Sequence, residues 1–235
     1  MSRHWQQFRS IFIPKLLMVK LSIGMPNLSA LKHSFNQIKT NYYMKKLLLF
    51  AVTLLLQTSL FAQTTTWKND KMHSKLKFTV THHLLSDVDG LFKKFDATIT
   101  AASPDFSDAV FELSADVSSI NTDVEMRDND LRSANFFDVA KYPAITFKSS
   151  SIKADGTNKY KLTGSLTMHG VTKPVTMDLW YRGTKENPNS KKNDAGFKLR
   201  GTLKRSDFNI GSGTPTILVS DEVEIAADGE FAKAN

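Results

Sequence analysis

The chain contains no cysteine. That absence excludes disulfide bridges, thiolate metal sites, a cysteine nucleophile and acylation at a lipoprotein cysteine. A domain in an oxidising compartment without disulfides must hold together by its core alone. The motifs of several common chemistries are missing too. There is no G-x-S-x-G nucleophile elbow and no phosphate-cradling glycine motif. Gly211-Ser212-Gly213 stands just before Pro215 and reads as a flexible loop. No His-x-His or Glu-x-x-His spacing occurs, and a zinc site needs three or four converging ligands. His82 and His83 are adjacent in an extended run, so alternation puts them on opposite faces. His73 and His169 stand apart from them. No metal, no cofactor and no catalytic residue are therefore expected.

Acidic residues are absent from residues 1–43, which carry six basic ones (Arg3, Arg9, Lys15, Lys20, Lys32, Lys39). Just downstream, 44–62 reads MKKLLLFAVTLLLQTSLFA. Lys45 and Lys46 form a basic start, and Leu47–Leu56 an apolar run interrupted only by Thr53. Gln57, Thr58 and Ser59 are polar, and Ala62 is a small residue suited to cleavage. That is the layout of a secretory signal. The apolar run is about half the roughly 20 residues a membrane span needs. Residues 1–43 are read as an extension upstream of a true start at Met44, the alternative being a basic arm or transit peptide. Periplasmic or secreted localisation follows, with no stable membrane span after cleavage.

This division changes the charge argument. The formal net charge is +8, from 31 Lys and Arg against 23 Asp and Glu. Eight of the basic residues and none of the acidic ones precede residue 63, so residues 63–235 are close to neutral. Composition then gives no reason to expect a nucleic-acid partner, and runs such as Lys191–Lys192 and Lys204–Arg205 are read as solvated faces. The 173 residues from 63 to 235 suffice for one domain with its own core.

From residue 67 the dominant period is two. Leu76, Phe78 and Val80 alternate with polar neighbours; so do Leu91, Phe95, Ala97 and Ile99, with Phe92 assigned outward. Phe111, Leu113, Ala115 and Val117 follow, then Ile145 and Phe147. Tyr160, Leu162, Gly164, Leu166 and Met168 continue the pattern. Val175, Met177, Leu179 and Tyr181 form the next row, and Phe197, Leu199, Gly201 and Leu203 the one after. Val223, Ile225 and Ala227 close the set. Such alternation means one buried and one wet face. Eight long strands, polar turns and no crossover helices predict an all-β fold, an eight-stranded antiparallel closed barrel able to hold one small ligand. One segment breaks the period. Thr122-Asp123-Val124-Glu125 has the form of a capping box, and Met126–Ala134 reads as one short helix ended by Asn135 and the pair Phe136–Phe137. It serves either as a lid on one mouth or as a connection that plugs the core. Thr172-Lys173-Pro174 reads as a tight strand connection.

Four blocks of the chain carry a family resemblance: HSKLKFTVTHHLLSDVDGLF at 73–92, RDNDLRSANFFDVAKYPAITF within 127–147, GSLTMHGVTKPVTMD at 164–178 and RSDFNI at 205–210. Over roughly 67–231 the chain resembles the YceI-like family of lipocalin-like, isoprenoid-binding periplasmic proteins. The resemblance implies an extended lipocalin-like barrel that takes up a long-chain amphiphilic lipid, such as an isoprenoid, a quinone tail or a fatty amide. Two positions depart from the family pattern: Asp130 stands where His is common, and Asn209 where Gly is common. Asn can replace Gly where φ is positive.

The inward rows are apolar and carry no acid–base pair, so two interiors remain open: a packed core, or a dry tube for a hydrocarbon chain. The resemblance favours the tube. The candidate wall is then Phe78, Val80 and Phe95 from the early strands, and Phe111, Leu113 and Phe147 from the middle ones. Phe136 joins from the helical segment, and Leu166, Met168, Met177, Leu179 and Leu199 from the later strands. His83, Arg127 and Asp128 are the head-group or rim candidates, although Arg127 and Asp128 also suit a purely structural role pinning the helix. Asp128, Asp130 and Asp138 need only helix-end charge and loop solvation to explain them. The expected function is non-catalytic binding, transport or sequestration of that lipid. The alternatives are a barrel enzyme acting on an apolar substrate and a structural or adhesive barrel with a filled core. A homodimer is left open.

Overall fold

The computed structural model describes residues 27–56 and 63–234. The chain divides into two compact units, Met1–Phe61 and Ala62–Asn235. In the first, one helix, α1 (Leu28–Leu56), takes in the basic start and apolar run of the signal-like segment and extends upstream of it. Among the described residues no helix is long and apolar enough to cross a membrane. The expected cleavage point after Ala62 and the first 26 residues lie outside the described residues.

The described residues of the second unit form eleven strands, all paired antiparallel: β1 (Thr65–Asn69), β2 (Lys75–His82), β3 (Ser86–Phe92), β4 (Phe95–Ala101), β5 (Val110–Asp116), β6 (Ile120–Asn121), β7 (Ala144–Ala154), β8 (Lys159–Met168), β9 (Val171–Glu186), β10 (Asn193–Lys204) and β11 (Glu222–Lys233). Their registers reduce them to eight staves. Both β1 and β2 run along β11, with Trp67 opposite Lys233 and Thr79 opposite Glu224. Likewise β3 and β4 run along β2 and β1, while β6 and β5 run along β3 and β4. Each remaining strand pairs with its neighbour in sequence, and β11 returns to the first stave. The result is a closed up-and-down barrel of eight staves, which leaves no sheet edge exposed.

The three split staves break at one level. Residues 70–74, 93–94 and 117–119 interrupt them, and Lys93 N–H donates to Ser119 O (3.2 Å) while Asp116 N–H donates to Lys94 O (2.9 Å). Extra residues in one strand bend it and shift the phase of its side chains. This corrects one assignment from the alternation: after the Lys93–Lys94 break Phe95 faces in, but before it Phe92 is buried (7% exposed) and Leu91 is only half-buried. The expected connection at Thr172–Pro174 is also displaced. Those residues lie inside β9, and the tight turn is His169–Gly170, both at positive φ. Pro174 is tolerated because β9 pairs with β10 only from Asp178 onward, leaving this stretch hydrogen-bonded on one side.

Strand alternation gives the barrel two distinct ends. Loops 83–85, 122–143, 169–170 and 205–221 gather at one end, and 102–109, 155–158 and 187–192 at the other. The second end is closed by aromatic packing. Phe106, at positive φ in the 102–109 loop, is 2% exposed and contacts Trp67, Tyr181 and Phe197 at ring separations of 5.3, 5.1 and 5.0 Å. Two tethers hold the loop that carries it. Tyr160 Oη donates to Asp105 O (2.8 Å), and the Asp108 carboxylate accepts from the backbone of Ala102 and Ser103.

The break in the period does contain a helix, α2 (Glu125–Arg132), but the capping box is not realised. Val124 is the N-cap and makes no side-chain cap bond. Thr122 Oγ1 instead donates to Asp128 Oδ1 (2.6 Å). A buried carboxylate accepting from both the hydroxyl and the backbone of Thr122 outcompetes the local cap.

Candidate functional site

Between the aromatic plug and the loops of the other end, the barrel interior is not filled. A cavity of about 390 Å³ runs down from the α2 end. A second, smaller space of about 80 Å³ lies deeper, toward the plug. Leu113, Phe147, Leu199 and Ala227 line both, so these four side chains form the waist between them. The upper volume is in the range of natural ligand pockets. An apolar cavity of this kind gains nothing from water and stays dry or takes an apolar guest.

All twelve candidate wall residues, eleven from alternation and Phe136 from the helical segment, line one of the two spaces. Phe78, Val80, Phe136, Leu166, Met168 and Met177 line the upper cavity, together with Leu113, Phe147 and Leu199 at the waist. Phe95, Phe111 and Leu179 line the lower one. Close approach shapes this wall. A Cβ on Gly201 would lie 2.9 Å from Met177 Cγ, and one on Gly90 would lie 2.1 Å from the ring of Phe78. Both side chains take positions that only glycine opposite them permits.

The ionisable groups lining the cavity all come from its mouth: His82 at the end of β2, Arg127 and Asp130 on α2, Lys204 at the end of β10, and Arg205 in the following loop. Along the strand interiors the wall is hydrocarbon, aromatic ring and thioether. Within the upper cavity a guest chain therefore meets apolar surface over its length and ionisable groups only at the mouth; Lys75, Glu112 and Asp228 line the smaller, deeper space.

The rim candidates take up different positions. Arg127 does line the mouth, but Nε donates to Thr122 Oγ1 (2.7 Å) and Nη2 to Thr122 O (2.8 Å). Asp128 is buried (4% exposed) and occupied by Thr122, so it does not line the cavity. Both residues thus pin α2 to the end of β6. Arg132 adds to this, donating to Ser118 O and Ile120 O. His83 is exposed on the β2–β3 turn, and its neighbour His82 faces the cavity. The expectation that the two rings point to opposite faces fails: positive φ at His83 turns the chain and sets them edge to face at 4.2 Å.

Several residues of the mouth were invisible to alternation. Leu131 and Phe137 join Phe136 from the α2 segment, and Ile210 and Val219 come from the 205–221 loop. The helix segment is therefore both things expected of it: it covers the mouth and inserts two phenylalanines. Arg205, read as part of a solvated pair, is buried (7% exposed). Its guanidinium donates to five backbone carbonyls, those of Ile210, Gly211, Thr214, Val219 and Ser220, at 2.6–3.2 Å. One cation thereby organises the whole loop, because a planar fork of five donors suits a ring of acceptors. The loop is closed by Asp221, which accepts from Ser206 N–H and Oγ. The backbone bond from Ser206 holds this carboxyl below the usual carboxylate range. Asn209, in the left-handed region at φ 56, ends the short 3-10 turn at 205–208, which accounts for Asn where the family commonly has Gly.

One cluster away from the cavity joins residues far apart in sequence. Asp70, His73 and Glu230 bring their ligand atoms within 4.8 Å of one another at the level of the strand breaks. Asp70 Oδ2 is bonded to His73 Nδ1 (2.9 Å), and this bond raises the histidine above its ordinary range. His73 and Glu230 are exposed, and the cluster does not line either space.

Comparison with known proteins agrees with this architecture. Residues 67–231 match the YceI-like domain family. The Protein YceI of Salmonella newport (strain SL254) is 36% identical over 187 residues, covering 79% of this chain and 97% of that protein. A crystal structure of the Campylobacter jejuni YceI protein, 32% identical, superposes with a TM-score of 0.61 over 64% of this chain and 88% of the other. A polyisoprenoid binding domain from Saccharophagus degradans, 15% identical, shares the fold with a TM-score of 0.57 over 73% of this chain and all of that one.

Proposed function

The chain belongs to the YceI-like family, and from that premise we propose that it binds and carries an amphiphilic lipid with a long apolar tail inside its barrel. The observation that supports this most directly is the cavity: about 390 Å³ of apolar space, narrowing at the waist of Leu113, Phe147, Leu199 and Ala227, with every ionisable group that lines it at the mouth. A tail lies along the wall and a polar head stays at the mouth near His82, Arg127 and Lys204. Fully burying methylenes supplies the affinity, about 0.8 kcal/mol each. No acid–base pair lines the upper cavity below its mouth, which supports transport or sequestration rather than chemistry. The Saccharophagus degradans domain, described as polyisoprenoid-binding, makes an isoprenoid a reasonable first guest to look for. Mass spectrometry of organic extracts from the natively purified protein tests the reading. A stoichiometric long-chain lipid is expected, and a barrel that neither retains nor takes up such a chain would sink it.

The same proposal places the barrel outside the cytoplasm, exported by the 44–62 segment from a start at Met44. The match to the Salmonella relative spans 187 residues, more than the 173 from residue 63 to the end, so it reaches upstream into that segment. Peptide mapping of exported protein should find an N-terminus at or near Gln63. Peptides containing Trp5 or Phe35 in that material would refute it.

A further inference from the structure

Apolar side chains are bared at one end of the barrel. Among the described residues of the barrel, eight large apolar side chains are exposed, and six of them stand at the mouth end: Leu84, Leu85, Val124, Met126, Ile217 and Leu218. Val110 is at the closed end and Met72 at the level of the strand breaks. Such a polarity has no role in holding the barrel together, because none of the six belongs to either buried cluster.

Four of them form one patch. The β2–β3 turn and the 205–221 loop are stitched side by side: His83 N–H donates to Leu218 O (2.9 Å), Ser220 N–H donates to Thr81 O (2.9 Å), and His82 bridges Val219. Leu84 and Leu85 at the tip of the turn are 67% and 88% exposed, and Ile217 across the seam is 62% exposed. The turn is held in an uncommon backbone state, with His83 at φ 51 and Leu84 at φ 57. A bulky residue at positive φ costs stability and persists only where the surroundings enforce it. His82 and Val219, in the same seam, line the cavity. The patch is therefore continuous with the cavity mouth.

We propose that this mouth rim inserts into the surface of a lipid bilayer, so that a tail passes between membrane and cavity without crossing water. The inference rests on the lipid-carrier reading above. A bilayer fits the patch better than a second copy of the chain. Four aliphatic side chains with these exposures amount to roughly 400 Å², about half of what each partner of a stable dimer buries. Shallow insertion of a few leucine-class side chains suits a reversible contact.

Among the described residues every buried apolar side chain lies within residues 67–231, so residues 63–235 serve for the test. Two measurements use phosphatidylcholine–phosphatidylethanolamine vesicles. In flotation, the wild-type barrel rises with the vesicles, and Leu84→Ser/Leu85→Ser/Ile217→Ser reduces the floated fraction by about fivefold or more. In stopped flow, transfer of 2-(9-anthroyloxy)hexadecanoic acid from barrel to vesicles speeds up in proportion to vesicle concentration for wild type. For the triple variant it becomes independent of vesicle concentration, while its solution affinity for the probe stays within about twofold, since none of the three residues lines the cavity. A concentration-independent wild-type rate, or an unchanged slope in the variant, overturns the proposal. So does a wild-type dimer that the variant dissolves in sedimentation, because a second copy would then cover the patch. If the barrel takes up no probe at all, the carrier reading fails by itself, and flotation alone decides the docking.

Discussion

Replacing Met177 by Glu separates a cavity that binds from one that merely exists. Met177 lies on β9, 7% exposed, opposite Leu162 on β8 and against Gly201 on β10, and it lines the upper cavity midway along the wall. A glutamate there is surrounded by apolar side chains that offer it no hydrogen-bond donor, so desolvation raises its pKa. A rise of about three units corresponds to roughly 4 kcal/mol, and that is the order of stability the variant should lose at neutral pH. A tail beside it loses apolar contact and faces a group that attracts water. Two controls bracket the effect. Met177→Leu keeps volume and polarity and should cost less than about 1.5 kcal/mol. Asp178→Asn changes the next residue, which points outward and pairs with Lys161 at the exposed surface, and should cost between 0 and about 1 kcal/mol. The assay is displacement of a fluorescent fatty acid by saturated acids of increasing length, with a thermal melt of each sample to verify folding. For wild type and both controls, affinity should rise about fifteenfold for each two methylenes, from about 0.8 kcal/mol per CH₂, until the tube is full. For Met177→Glu, still folded at low temperature, binding should be lost. Affinity that ignores chain length, or equal binding by Met177→Glu and Asp178→Asn, would refute the assignment of the interior as the site.

Three other perturbations bear on the frame around the cavity. Arg205→Ala strands the buried carbonyls of Ile210 and Gly211 and should cost about 3 kcal/mol in chemical denaturation, with Arg205→Lys recovering only part because one ammonium cannot reach all five acceptors; a loss below about 1 kcal/mol for the alanine variant would show that the loop holds itself. Asp221 is depressed in the folded state, so its contribution is present above the ordinary carboxylate pKa of about 4 and fades as pH falls through its lower folded value; Asp221→Asn should flatten the acid limb of the stability profile below about pH 4 and leave hydrogen exchange of 205–221 faster at neutral pH, whereas an unchanged acid limb would assign that limb to other carboxylates. Phe106→Ala removes the side chain that meets Trp67, Tyr181 and Phe197, and should lower stability by about 3–5 kcal/mol; if it stays folded, the opened lower end should admit longer chains, and an unchanged length ceiling would mean that the waist at Leu113, Phe147 and Leu199 sets the limit instead.

Much of the wall was legible because a strand's side chains have a period of two, which is a local property. Phe78, Leu113, Phe147, Leu166, Met177 and Leu199 could be placed inward from their own neighbours, and the eight runs and polar turns implied an antiparallel barrel. Local period fails wherever the chain inserts extra residues. Lys93–Lys94 reset the phase between Phe92 and Phe95, and only the pairing with Ser119 reveals it. The same limit explains Thr122, whose sequence offers a cap to its own helix while the fold gives it to Asp128.

By itself, then, the sequence determined the strands, their inner faces, the single helical interruption and the family. Three things were decided by tertiary structure. Closure depends on β11 meeting β1 and β2 across more than 140 residues, a contact no local pattern encodes. Whether the interior is filled depends on how far apart the facing rows stand, which barrel geometry sets and residue type does not. The mouth, finally, is built from loops without periodicity. There Arg205 lost its water to a ring of backbone carbonyls, and their position follows from the path of the chain rather than from the residues that carry them.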